Sequence, residues 1–190
     1  MKTALILHGK PSKEEYFDPE SPSPSNGHWL PWIQRQLLLK GILSQTPELP
    51  EPYEPSYEKW RDVFERFEVN NNTILIGHSC GAGFLVRWLS ENNVNVGKVA
   101  LVAPWLDPTK ELNTGFFNFD IDSDLVSRTD GLTAMYSTDD PIEGIHTTTD
   151  LLKEKLKDAR FQEFSNKGHF CFCDMHTKEF PELLSAVIGE

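Results

Sequence analysis

The sequence predicts an α/β fold, a three-layer α/β/α sandwich around a mostly parallel sheet of about six strands. Three observations lead there. Short apolar runs alternate along the chain with longer amphipathic stretches, the pattern of strand–helix units. At 190 residues the chain suits a single domain, residues 1–190, and neither an internal repeat nor a linker divides it. Hydrophobic residues make up 38% and charged residues 25%, enough apolar matter for a packed core and too little charge for disorder.

Residues 3–8 form a short apolar run closed by Gly9, a buried strand. Residues 10–27 are polar and rich in Pro and Ser and read as a long surface loop. Residues 28–40 follow as a helix, with Pro31 in its first turn and Gly41 as its stop. A second strand over 42–46 leads through a proline-rich connection to an amphipathic helix over 56–68. There Ser56 is a possible cap, and Tyr57, Trp60, Val63, Phe64 and Phe67 recur at helical spacing. Thr73–Ile76 is the next buried strand, and 82–91 reads as a helix. Strands are expected at 98–103, 132–137 and 160–164, and helices at 147–158, capped by Thr147 or Thr148, and at 177–188. Residues 104–131 show no period; Phe116, Phe117 and Phe119 are scattered among polar residues.

The 29 acidic and 18 basic residues give a net charge of −11 without a basic cluster. Such a field repels phosphate backbones and anionic lipid, so neither nucleic acid nor a membrane is an expected partner. Three cysteines, Cys80, Cys171 and Cys173, are far from a disulfide framework, which fits a reducing, cytoplasmic setting. The apolar run near the N-terminus, Ala4 to Leu7, is too short for a signal peptide, and no run approaches the roughly 20 residues of a membrane span. Oligomeric state is not legible.

The pattern that carries chemistry is Gly77-His78-Ser79-Cys80-Gly81, a glycine-flanked serine between an expected strand and an expected helix. That context turns a common pentapeptide into a nucleophile elbow, where a sharp turn lifts the central side chain off the sheet edge. A serine hydroxyl needs a base and an acid that orients the base. After Ser79, the acids just past a strand are Asp139 and Asp140. Of the downstream histidines, His169 sits in a glycine-led loop after the last strand. His146 is expected to begin a helix, His176 to open the last helix, and His8 and His78 to pack near strand ends. Backbone amides of Lys10 and Cys80 are the expected oxyanion donors, since Pro11 has no N–H. Trp29 and Trp105, just after strand-end loops, are the better candidates for an apolar pocket wall.

With these residues in order, the chain resembles a small, cap-less branch of the α/β-hydrolase superfamily, the group that includes retinoblastoma-binding protein nine and bacterial relatives. The shared motifs are His8-Gly9, Gly27-His28-Trp29, the 77–81 elbow, Ser137-Thr138-Asp139-Asp140-Pro141 and Gly168-His169-Phe170, which span essentially the whole chain. The resemblance implies an α/β-hydrolase fold without a lid domain, and Asp140, directly before the proline, as the acid. It implies a serine hydrolase acting on a small ester or amide, with no cofactor. Two departures stand out: Ile142-Glu143-Gly144 after the acid, and Cys80 where many relatives carry serine or glutamine.

Other readings are weaker. Cys80 is off the centre of the glycine pair and is not expected to be the nucleophile. Cys171 and Cys173 with His169 and His176 have zinc-type side chains, yet the C-x-C spacing is short and fits a strand edge, so no metal is expected. A partner-binding regulatory protein on a hydrolase scaffold is the alternative from another class, although no cysteine sits in an L-x-C-x-E motif. Acyl transfer to an acceptor other than water is not separable from hydrolysis.

Overall fold

A computed structural model describes residues 1–189. Its strands are β1 (Thr3–Leu7), β2 (Leu43–Gln45), β3 (Thr73–His78), β4 (Val99–Val102), β5 (Leu132–Ser137) and β6 (Arg160–Phe164). They form one sheet in the order β2-β1-β3-β4-β5-β6, every neighbouring pair parallel. β3 and β4 are buried at every position, as strands covered on both faces must be.

The helices are α1 (Lys13–Phe17), α2 (Leu30–Leu39), α3 (Tyr57–Phe64), α4 (Cys80–Glu91), α5 (Ile145–Lys155), α6 (Phe172–Met175) and α7 (Pro181–Ile188). Right-handed crossovers assign the faces: β1–α2–β2 winds one way along the sheet and β3–α4–β4 the other, so α2 and α4 cover opposite faces. α7 packs against α2. α3 joins α4 through Trp60 and Phe64, whose rings meet Phe84 at centroid distances of 6.0 and 5.4 Å. The reversal of winding falls between β1 and β3, where the strand ends of an open α/β sheet leave a crevice. Leu7 pairs with Gly77 across that gap, so the turns after the two strands leave the sheet side by side.

The expected strands are all present, within two residues at either end. The differences lie in the connections. The 10–27 stretch is not all loop: Ser12 accepts from the Glu15 N–H and caps α1, with Glu14 and Glu15 in the favourable first turn. α5 starts at Ile145, capped by Gly144 with a left-handed φ of 88°, rather than at Thr147 or Thr148. Residues 171–175 form a helical turn, not a strand edge, and His176 closes it instead of opening the final helix. That helix begins later, at Pro181, which has no N–H to lose in a first turn.

Within 104–131 the chain makes turns and a short 3-10 segment at Leu125–Arg128. Phe116 is wholly buried among Tyr57, Trp60 and Phe84, and Arg87 donates to the carbonyls of Gly115 and Phe116 at 2.9 and 2.6 Å. The segment is thus pinned to the α3–α4 layer. Among the described residues, no helix is long and apolar enough to cross a membrane.

Candidate active site

Ser79 stands between β3 and α4 with φ 53° and ψ −119°, a conformation that costs a residue with a side chain about 1–3 kcal/mol. Backbone bonds hold it there: its N–H donates to Val102 at 2.9 Å, and its carbonyl accepts from Gly83 at 3.1 Å and Trp105 at 3.3 Å. The turn closes so tightly that a Cβ at Gly77 would lie 2.6 Å from the Ala82 Cα, and one at Gly81 would lie 2.3 Å from the His8 carbonyl oxygen. Both flanking positions therefore require glycine for close backbone approach.

His169 and Asp140 meet from the loops after β6 and β5. Nδ1 of His169 lies 2.9 Å from one Asp140 carboxylate oxygen and 3.1 Å from the other. The Asp140 side chain is fully buried, and the Ile142 N–H donates to it at 2.9 Å. An acceptor at Nδ1 selects the tautomer with the proton there, leaving Nε2 with its lone pair outward. Ser79 and His169 are each 9% exposed, and neither the Ser79 hydroxyl nor Nε2 is hydrogen-bonded among the described residues. In unliganded serine hydrolases the serine–histidine hydrogen bond is often long or misaligned and forms fully only in the substrate complex.

Four further side chains hold the His169 loop. The Ser137 hydroxyl accepts from the Lys167 N–H at 3.1 Å and donates to Asp139, which accepts from the Gly168 N–H at 3.2 Å. The Ser137 hydroxyl, followed by the Gly168 amide, holds the Asp139 carboxyl below the usual range. Asp174 accepts from the His169 N–H at 2.9 Å. His78 donates through Nε2 to the His169 carbonyl at 2.8 Å, with its ring 5.0 Å from the His169 ring. Asp139 is thus tied to the loop rather than to the imidazole, which belongs to Asp140. Of these four, Asp139 was expected as the rival acid, His78 to pack near the strand end and Ser137 only as part of the acid-loop motif; Asp174 had no sequence signal.

Burial lowers the pKa of His8, His28 and His78, and for His28 and His78 the neighbouring His169 adds to the lowering. Two of them also need a bare ring nitrogen: His8 Nε2 accepts from the Leu49 N–H at 2.9 Å, and His28 Nδ1 from the Phe172 N–H at 3.2 Å. Because the folded pKa values lie below the unfolded value of 6.5, the unfolded chain binds more protons as pH drops. The stabilisation from neutral imidazoles is complete above about pH 6.5 and is lost below it, by up to about 1.4 kcal/mol per pH unit for each histidine. Thermal melts should accordingly show Tm falling from pH 7.5 to 5.5; a flat or rising Tm would contradict this burial.

The remaining expected site residues are placed as follows. Cys80 opens α4, is wholly buried, and its thiol is pushed up by that burial, so it is inert as a nucleophile. Its backbone N–H lies in the first helical turn, where no intrahelical acceptor exists. Lys10 is exposed and follows Gly9, on which a Cβ would stand 3.0 Å from that of Ser79. Trp29 is not placed as a pocket wall: it has no exposed surface and packs edge-on against His78 and Phe180, beneath the site. Trp105 is 5% exposed, and its indole N–H donates to the Glu143 carbonyl at 3.0 Å, bracing the turn after Asp140 where the sequence departs from the resemblance. A cavity of about 400 Å³ lined by Lys98, Gly131 and Arg160 opens at the other end of the strands, away from Ser79. In an open parallel sheet, chemistry belongs at the carboxyl ends, where Ser79, Asp140 and His169 sit.

Comparison with known proteins bears on the family and the fold. The model of a family described as serine hydrolase matches residues 21–186. The YdeN protein of Bacillus subtilis (strain 168) is 26% identical over 169 residues, covering 84% of this chain and 86% of the relative. The crystal structure of the B. subtilis ydeN gene product superposes with a TM-score of 0.79 at 24% identity, covering 100% of both chains. Est1E of Butyrivibrio proteoclasticus, at 13% identity, has a TM-score of 0.64 over 100% of this chain and 89% of its own.

Proposed function

The chain belongs to the serine hydrolase family, with an α/β-hydrolase fold, and from that premise we propose that it cleaves a small carboxylic ester or amide through an acyl-enzyme. The observation that carries the proposal is the His169–Asp140 contact, 2.9 and 3.1 Å, beside the strained Ser79 elbow. Ser79 attacks the carbonyl carbon as Nε2 of His169 takes its proton. The amides of Cys80 and Lys10 stabilise the oxyanion. The imidazolium, steadied by Asp140, protonates the leaving group, and water then repeats the sequence to free the acid and Ser79.

The expected acyl group is short, roughly acetyl to butyryl. Arg87 and Phe116 fasten the middle of the 104–131 segment to the α3–α4 layer, which favours an open site over one roofed by that segment. Remote binding energy for a long acyl group is then small. Measuring kcat/KM across p-nitrophenyl esters tests both the reaction and this limit. The values should peak within about four carbons. No turnover of any member would remove ester hydrolysis, and a steady rise to long chains would show an enclosing pocket.

A further inference from the structure

We propose that Cys171, Cys173 and Asp174 form a binding site for a thiophilic divalent cation of the zinc class. Their two thiol sulfurs and a carboxylate oxygen all lie within 4.8 Å of one another. A tetrahedral zinc ion, with Zn–S near 2.3 Å, holds two sulfurs about 3.8 Å apart, so modest side-chain rotation closes the set. The helical turn of α6 creates this convergence: the N–H groups of Asp174 and Met175 donate to the Cys171 carbonyl at 3.1 and 2.9 Å, folding residues 173 and 174 back toward 171.

A thiophilic ion displaces the thiol protons to solvent as it binds, and the Asp174 carboxylate beside the two sulfurs adds a third anionic ligand. Cys173 is exposed, which gives the ion a route from water, and three protein ligands leave the fourth position to a water molecule. The third thiol, Cys80, is buried at the start of α4 and takes no part. The site also touches the His169 loop: Asp174 accepts from the His169 N–H at 2.9 Å, and the Cys171 thiol donates weakly to the His169 carbonyl at 3.8 Å.

The test is a cadmium titration of the whole protein, kept reduced by a phosphine, followed by thiolate-to-metal charge-transfer absorbance in the ultraviolet. The wild-type chain should saturate at one ion. Cys173→Ser, at an exposed position, should keep the wild-type circular dichroism and lose more than about tenfold in affinity, and Asp174→Asn should weaken binding in the same direction. A reduced wild-type protein without the band, or a Cys173→Ser protein that binds equally well, would overturn the proposal.

Discussion

Ser79→Ala is expected to reduce turnover of a short p-nitrophenyl ester by at least about 10³-fold while leaving the fold intact. Alanine keeps the β-carbon, so the backbone strain at φ 53° and the bonds to Val102, Gly83 and Trp105 are unchanged. Only the hydroxyl is lost. The neighbouring Cys80 offers no rescue, because it has no exposed surface and burial keeps its thiol protonated. Residual rate above the uncatalysed reaction should come from the oxyanion donors and from binding. Steady-state kinetics with a circular dichroism control measures it; a variant within tenfold of wild type would remove Ser79 from the mechanism.

Asp140→Asn is expected to cost on the order of 10³–10⁴ in kcat, because an amide no longer enforces the Nδ1–H tautomer or steadies the imidazolium. The loss should be much smaller for Asp139→Asn, under about tenfold, since an amide oxygen still accepts from the Gly168 N–H. The two neighbours therefore separate a charge that acts through the imidazole from a carboxylate that ties two loops. Kinetics of both variants on one ester decide it. Equal losses, or a greater one at Asp139, would reverse the assignment.

Much of the sheet was legible because its signals are local. Apolar runs such as Thr73–Ile76 announce buried strands, and the strand–Gly-x-Ser-x-Gly–helix succession needs no distant contact to be read. Chain order then limited the acid and base to a few residues. What could not be read are the contacts that hold those residues, since His78 reaches His169 across 91 positions and Ser137 reaches Lys167 across 30. Trp29 shows the same limit: an aromatic side chain after a strand-end loop looks alike whether it walls a pocket or, as here, fills the space under His78. Residues 104–131 have no period, and part of what holds them, Arg87 donating to the carbonyls of Gly115 and Phe116, lies on a different element. The short helix α1 was hidden by the prolines and serines around it, although Ser12 and the two glutamates after it are a start signal.

The central claim is that the Ser79 hydroxyl is the nucleophile, and covalent labelling tests it most directly. A fluorophosphonate probe should modify the folded wild-type protein once, and peptide mass spectrometry should place the adduct on Ser79. Labelling should vanish in Ser79→Ala and slow strongly in a variant lacking the His169 imidazole. An adduct mapped to another residue, or undiminished labelling of Ser79→Ala, would contradict the account.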